Sequence, residues 1–382
     1  MTGKNPIRLG MVGGGNDAFI GAVHRIAARL DGEYDLIAGA LSSTPDKARA
    51  SGAVLGLAPD RSYDDYTSMA IREAALDEGV EAVAIVTPNH MHAPVAREFL
   101  QRGIHVICDK PLTATLEDAH ELMNAAEASD ALFVLTHNYT GYPMVRQARD
   151  MVASGALGDI RVVQAEYPQD WLTEAEETKD NKQAEWRTDP ARSGASGCIG
   201  EISTHAFNLL SFVTGLEAES LSADLQSFVP GRQLDDNAHV MLRFKNGARG
   251  MLWSSQVAPG NENGLMLRVY GSKGGFEWVQ ANPDMLWYTP FGEPKRLLTR
   301  GGVGATGPAN RLTRVPGGHP EGYLEAFANI YTEAAAAIRA YSAGKAVPAD
   351  VHFPTIHDGL LGMQFIDACV KSSQRNAAWV TL

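Results

Sequence analysis

A short apolar segment, Ile7-Arg8-Leu9-Gly10-Met11-Val12, runs straight into Gly13-Gly14-Gly15-Asn16-Asp17-Ala18 and then into a helical repeat through Ile20, Val23, Ile26, Ala27 and Leu30. Strand, glycine turn and helix in this order fit the pattern G-x-G-x-x-G/A. The first glycine allows the tight turn and the second lets backbone approach a pyrophosphate, which sits on the amides and positive dipole of the helix N-terminus. Plain glycine turns also join strands to helices. This one lies near the N-terminus in full strand-turn-helix context, which predicts dinucleotide binding with Gly13, Gly15, Asn16 and Ala18 as cofactor-binding residues.

The pattern then alternates. Strands are predicted at 34–41, 82–87, 105–108 and 132–135, and helices at 66–78, 93–101 and 116–128. Strands alternating with helices of this length imply a doubly wound parallel sheet, whose carboxyl edge is where ligands bind. Four features are predicted on that edge. The second strand ends in Ser42-Ser43-Thr44, with Lys47 and Arg49 beyond, where an NAD-binding fold usually carries an acid for the ribose 2′-hydroxyl. Hydroxyls and cations would tolerate a 2′-phosphate, so NAD and NADP both stay open, with Ser42, Ser43 and Lys47 as ribose-side candidates; the same residues also suit a helix cap ahead of Pro45. The third strand leads to Thr87-Pro88-Asn89-His90-Met91-His92, the fourth to Cys108-Asp109-Lys110-Pro111, and the fifth to Thr136-His137-Asn138-Tyr139.

After about residue 140 the texture changes. A helix at 144–154 precedes strands at 160–167, 219–228, 238–244, 248–256, 265–270 and 275–278, with hairpin signals at Lys245-Asn246-Gly247 and Ser272-Lys273-Gly274. Consecutive hairpins imply an antiparallel open sheet and an α+β second domain. A helix at 201–213 interrupts it, a Gly-, Arg- and Pro-rich stretch at 301–318 reads as a long loop of the kind that is usually functional, and helices follow at 323–341 and 354–371 before a last strand at 379–382. The expected division is a Rossmann domain over 1–139 and a substrate-binding and oligomerisation domain over 140–353.

A chain of 382 residues exceeds what one core usually supports. The 33 Lys plus Arg against 45 Asp plus Glu give a net charge of -12, which argues against nucleic acid or an anionic membrane as partner. Cys108, Cys198 and Cys369 are too scattered for a disulfide framework or a cysteine zinc site, and neither an HExxH pattern nor a clustered set of histidines suggests another metal. The polar start at 1–6 and the lack of a long apolar run predict a cytoplasmic protein.

Gly13 to Ala18, Thr87-Pro88-Asn89, Asp109-Lys110-Pro111 and Gly200-Glu201-Ile202-Ser203-Thr204-His205 occur in this order. On these motifs the chain resembles the Gfo/Idh/MocA family of NAD(P)-dependent sugar and cyclitol oxidoreductases, over essentially its whole length. The family's Glu-Lys-Pro is here Asp109-Lys110-Pro111, and its Asp followed four residues later by His is here Glu201 and His205. The resemblance implies catalysis by Lys110, His205 and Glu201, and cofactor contacts from Thr87, Asn89, His92, Asp109, Lys110 and Asn138. It also implies a C-terminal helix, at 354–371, packing back on the nucleotide domain, and a dimer or tetramer. Substrate contacts are expected from Lys110, Tyr139, Glu201 and His205, and from Gln169, Asp170 and Trp171, whose stretch resembles a segment near the substrate in members acting on whole sugars, anhydrosugars and inositols. An aromatic face with amide and carboxylate suits a carbohydrate. His319, Glu321 and Tyr323, after the long loop, are candidates for closing the pocket.

The chemistry expected is hydride transfer from a secondary alcohol, with His205 taking the proton and Lys110 stabilising alkoxide charge. Two other functions are consistent with the same motifs: a glycosidase that oxidises transiently to permit elimination, and a nucleotide sensor without turnover.

Overall fold

The computed structural model describes residues 5–16 and 18–382, so Asp17 of the glycine motif and residues 1–4 of the polar start lie outside the described residues. The chain forms two units. The first runs to Gly141 and resumes over Tyr323–Leu360; the second comprises Tyr142–Gly322 and Leu361–Leu382.

In the first unit, β1 (Ile7–Gly13), β2 (Tyr34–Ala40), β3 (Ala82–Val86), β4 (His105–Cys108) and β5 (Phe133–Leu135) form a parallel sheet in the order β2-β1-β3-β4-β5. Every residue of β3 and β4 is buried, as central parallel strands covered on both faces require. The intervening helices are α1 (Phe19–Leu30), α2 (Pro45–Val54), α3 (Tyr66–Ala74), α4 (His92–Leu100) and α5 (Leu116–Glu127). Of these, α2 has no counterpart in the periodicity, since only Ala48, Ser51 and Gly52 of its ten residues are buried. Strand order reverses between β1 and β3, so the carboxyl ends of those strands define the crevice where this topology binds ligands. Register sets the level of that edge: Gly13 pairs with Val86, Ile85 with Cys108, and Cys108 with Leu135. Thr87, Asp109 and Thr136 therefore all leave the sheet together.

The helix that covers α1 is Tyr323–Ser342. Its stripe of Phe327, Ile330, Tyr331, Ala334 and Ile338 joins Val23 and Ala27 of α1 in one buried cluster. Tyr331 fixes the pair in register, its hydroxyl 2.8 Å from His24 Nδ1 and its carbonyl accepting from Tyr34 Oη at 3.0 Å. Helix Ile356–Gln374 contributes only its first turn to the first unit, where Leu112 lies against Gly359; from Leu361 onward it belongs to the second. There Phe365 stacks on Phe207 with ring centroids 4.2 Å apart, and the Ser372 hydroxyl accepts from Ala223 N–H at 2.8 Å.

The second unit is built on a nine-stranded sheet of β6 (Ile160–Pro168), β7 (Ala218–Gln226), β8 (Asn237–Phe244), β9 (Arg249–Ser255), β10 (Met266–Gly271), β11 (Gly274–Val279), β12 (Met285–Pro290), β13 (Arg296–Thr299) and β14 (Val380–Thr381), in the order β13-β12-β11-β10-β6-β9-β8-β7-β14. All neighbours are antiparallel except β6 and β9. β12 and β13 were absent from the sequence reading. One face, with Val163, Ala165, Val240, Leu252, Leu267 and Phe276, is buried, and helix Thr204–Thr214 packs on it against β6 and β10. The other face leaves Met241, Met251, Tyr270 and Trp287 exposed.

The 301–318 stretch is pinned rather than loose. Arg300 is buried and donates to Asp284 Oδ1 at 2.8 Å, Glu321 Oε1 at 2.9 Å, Val315 O at 2.7 Å and the His319 carbonyl, and a short helix, Gly307–Arg311, interrupts the loop.

Phe365→Ala removes the stacked ring between two packed helices and should cost about 3–5 kcal/mol in urea unfolding, with a loss under about 1 kcal/mol showing that this helix is anchored elsewhere.

Candidate functional site

The glycine turn is built by backbone packing against backbone. A Cβ at Gly13, whose φ is +79°, would lie 2.8 Å from the Val86 carbonyl oxygen, and one at Gly15 would lie 2.7 Å from the Leu41 carbonyl oxygen. Gly21, in the first turns of α1, has the Gly14 Cα only 2.4 Å from where its Cβ would be. The close helix-to-turn contact that the motif assigns to its last position is thus made by Gly21, while Ala18 takes the N-cap position of α1. Gly21 was not singled out from the sequence because it falls three residues past the pattern. Ser51 on α2 is a second omission: its hydroxyl accepts from Asn16 N–H at 3.2 Å and braces the turn.

At the ribose side, Ser42 is half-buried and Ser43 and Lys47 are exposed. The Ser42 hydroxyl accepts from Thr44 N–H at 3.2 Å, and Thr44 caps α2 by position without a side-chain bond. Arg49 is tied between Asp46, at 2.7 Å, and Asp64.

Three loops meet at the edge of the first unit. Asp109 Oδ1 accepts from Lys110 N–H at 2.8 Å and from Thr136 Oγ1 at 3.1 Å, joining the ends of β4 and β5 beside the half-buried Lys110. His137 is buried, and its pKa is pushed down to about 3, first by burial and then by the Lys110 cation, so it stands neutral beside the lysine. The Thr87 hydroxyl and Asn138 Nδ2 are buried and have no hydrogen-bond partner among the described residues. Asn89 is buried in the turn after Thr87, and Tyr139 is buried with its ring 6.5 Å from that of Tyr323. His92 differs from expectation. Its ring is buried with Nδ1 2.8 Å from Pro111 O and Nε2 2.9 Å from Thr87 O, so both nitrogens are committed to backbone and neither is presented to a ligand.

In the second unit, Glu201 lies on a π-wound turn, Ile199–Ser203, which passes into helix Thr204–Thr214 carrying His205. Such local widening of a helix is frequent at functional sites. Asp235 fastens the start of the turn, accepting from Gly197 N–H at 2.7 Å and Ile199 N–H at 2.8 Å, and burial pushes its carboxyl up to about 6 against those two bonds. Glu201 pairs with Arg187 at 3.1 Å, and that guanidinium rests on Trp186, 4.2 Å from the ring centroid. His205 is buried, its ring 6.3 Å from that of Tyr167.

Gln169 uses its amide internally, donating to Asn263 Oδ1 at 2.8 Å and accepting from Trp171 Nε1 at 3.0 Å, and Tyr167 Oη donates to the same Asn263 oxygen at 2.8 Å. Asp170 accepts from Gly260 N–H at 3.0 Å. His319 is exposed, its ring bonded to Pro316 O at 3.1 Å, and Tyr323 falls in the other unit. Asn263 is the member of this network that sequence patterns did not reveal.

These features fit a dinucleotide: a turn whose three glycines, Gly13, Gly14 and Gly15, have no room for a Cβ, and two buried polar atoms, on Thr87 and Asn138, that have no partner among the described residues. Residues 7–137 match the oxidoreductase family with an NAD-binding Rossmann fold, GFO/IDH/MocA, and residues 145–277 match the GFO/IDH/MocA C-terminal domain. The chain belongs to this family. It is an NAD(P)-dependent oxidoreductase. A solved oxidoreductase from Sinorhizobium meliloti is 63% identical, with a TM-score of 0.89 over 99% of this chain and 100% of that one. An inositol dehydrogenase homolog from Azotobacter vinelandii, complexed with NADH and myo-inositol, is 36% identical, with a TM-score of 0.93 over 99% and 98%. Levoglucosan dehydrogenase from Pseudarthrobacter phenanthrenivorans is 28% identical over 73% of this chain and 75% of that protein. Among the described residues no helix is long and apolar enough to cross a membrane, and no group of three or more His, Cys, Asp or Glu is placed to hold a metal.

Gly21→Val forces the turn off α1. Overpacking of this kind costs about 1–3 kcal/mol, so calorimetric titration should show NAD bound roughly tenfold more weakly; unchanged affinity would mean that Gly14 can retreat without disturbing the phosphate site.

Proposed function

We propose that this oxidoreductase oxidises a secondary alcohol of a cyclitol or a whole uncharged sugar. The observation that carries the reading is the likeness, over nearly the full length of both chains, to an inositol dehydrogenase homolog complexed with myo-inositol. Levoglucosan dehydrogenase supports the broader sugar class. The second unit adds chemistry of the right kind: amides and hydroxyls of Gln169, Asn263 and Tyr167 linked in one network beside Trp171 suit a neutral polyol with an apolar ring face.

When bound, the nicotinamide supplies the hydride acceptor. The substrate carbon loses hydride, its hydroxyl loses a proton, and a ketone remains. In this reading His205 accepts the proton, and Lys110, with its backbone fixed by Asp109, donates hydrogen bonds to the oxygen as charge develops there. Neutral His137 leaves that cation uncompeted. Glu201 bonds substrate hydroxyls from its anchorage on Arg187. Thr87, Asn89 and Asn138 serve the nicotinamide side, and Tyr139 with Tyr323 the substrate.

The ribose side favours NAD. Arg49 is neutralised by two carboxylates, which leaves Lys47 as the cation for a 2′-phosphate. We also read the exposed face of the large sheet, with Met241 paired to Met251 and Trp287 to Leu297, as the contact between copies of the chain in a dimer or tetramer.

Absorbance of the reduced cofactor should rise when NAD is offered with inositols or neutral sugars, and product release with no net reduction would instead indicate the redox-cycling glycosidase. With the substrate so found, Lys110→Met should lower kcat by about 10²–10³ while NAD still binds, and near-normal kcat would remove Lys110 from the chemistry. Releasing Arg49 by Asp46→Asn with Asp64→Asn should raise the NADP-to-NAD ratio of kcat/KM by about fivefold; an unchanged ratio would place the 2′-position elsewhere.

A further inference from the structure

Asn263 lies in the connection from β9 to β10, and its side chain joins residues far apart in the chain. Its Oδ1 accepts twice, from Tyr167 Oη at 2.8 Å and from Gln169 Nε2 at 2.8 Å, and its Nδ2 donates to Gln280 Oε1 at 3.1 Å. Gln280 Nε2 carries the line on to Tyr142 Oη at 3.3 Å, and at the other end Trp171 Nε1 donates to Gln169 Oε1 at 3.0 Å. All these residues, and His205, belong to the second unit. We propose that Asn263 is a positioning residue for the oxidation, holding the Tyr167 ring at a fixed place beside His205 through the tyrosine hydroxyl.

The sense of the line is set at one end. An indole N–H can only donate, so Gln169 turns its carbonyl to Trp171 and its NH₂ to Asn263. Asn263 must then show its carbonyl to Gln169 and Tyr167 and its NH₂ to Gln280. Reversing the Asn263 amide would set NH₂ against NH₂ and carbonyl against carbonyl. The Tyr142 hydroxyl, which can donate or accept, ends the line without such a demand. The turn itself does not need this side chain. Asn261, two residues earlier, bonds locally to Ala258 O at 3.1 Å, as turn asparagines do, whereas Asn263 reaches β6 and the residue after β11. Its backbone is anchored as well, since Gly264 N–H donates to Pro168 O at 2.8 Å, next to Tyr167. Tyr167 is 3% exposed and its ring is tilted 59° to that of His205, with centroids 6.3 Å apart. Packing confines the tyrosine ring, and the bond from its hydroxyl fixes its height against the imidazole.

The inference rests on the dehydrogenase reading for the meaning of His205, and the experiment separates the two. Crystal structures of wild type and Asn263→Leu, which keeps the size and removes the acceptor, should differ by about 0.5 Å or more at the Tyr167 ring. An unmoved ring overturns the proposal whatever the enzyme oxidises. With the polyol that wild type oxidises, Asn263→Leu should lower kcat by about 10-fold, while ADP-ribose binds the first unit within about twofold of wild type. Tyr167→Phe keeps the ring and removes only the hydroxyl, so the double variant should be no slower than Asn263→Leu alone. Asn263→Asp keeps both accepted bonds, and Gln280 can turn its NH₂ toward it and accept from Tyr142, so kcat should stay within about threefold of wild type. Losses that multiply in the double variant overturn the positioning role, as does an Asp variant slowed by 10-fold, which marks a residue needed only for its fold. Should Asn263→Leu fail to fold, the comparison of Tyr167→Phe, slowed, with Asn263→Asp, near wild type, carries the same test. Absence of turnover by wild type on every polyol would sink the dehydrogenase reading and leave the position of the Tyr167 ring to decide this one.

Discussion

The contact on which the first unit depends is that between the glycine turn and the end of β3. With Gly13 paired to Val86 and no room for a Cβ between the turn and that carbonyl, β1, β3 and α1 meet backbone to backbone. The Val86 and Met11 side chains close in on Gly14 from the same junction, and the register of the ladder carries the level of the turn to Thr87, Asp109 and Thr136. Side chains could not do this as well, since each would bring rotamers and a compressible layer. The crevice of the parallel sheet is thus defined largely by main-chain atoms.

Carboxylates near the proposed chemistry serve mostly to hold backbone. Asp109 closes on the N–H of the next residue and reaches Thr136, a short ring of the kind that aspartate side chains make and that the longer glutamate of the family pattern would not close in the same way. Glu201 shows the reverse exchange, since its extra methylene lets it reach the guanidinium of Arg187 from the π-wound turn. Asp235 fixes the entry to that turn through two amides. The two departures from the family motif therefore have local partners in this chain, and each replaces one length of arm by another suited to what it must grip.

Legibility from sequence followed the strength of local signals. The parallel sheet was readable because central strands are short apolar runs bounded by turn residues, and the glycine motif and Asp109-Lys110-Pro111 were readable because each is contiguous. β12 and β13 were missed: they are a half-exposed ribbon near the edge of the sheet, and Met285 to Pro290 carries only one fully buried residue, Leu286. Which of two similar amphipathic helices returns to α1 depends on the partners of Tyr331 and Phe365, thirty-four positions apart, and no local pattern encodes that choice. Gly21, Ser51 and Asn263 act through neighbours distant in sequence or outside a fixed spacing. His92 opens the helix that follows the β3 turn, and in sequence a ring pointing inward at two carbonyls is indistinguishable from one pointing at a ligand.

Burial also decides which histidines of the first unit can answer to pH. His24 and His137 have folded pKa values of about 4 and about 3, below the ordinary value near 6.5, so both are neutral in the fold. Between pH 6.5 and those values the unfolded chain binds protons that the folded chain refuses, and the stability these rings confer, fully present above pH 6.5, drains away as pH falls through that window. Around Lys110 the fold thus disfavours a competing cation by desolvation, at His137 and, against the pull of Asp109, at His92.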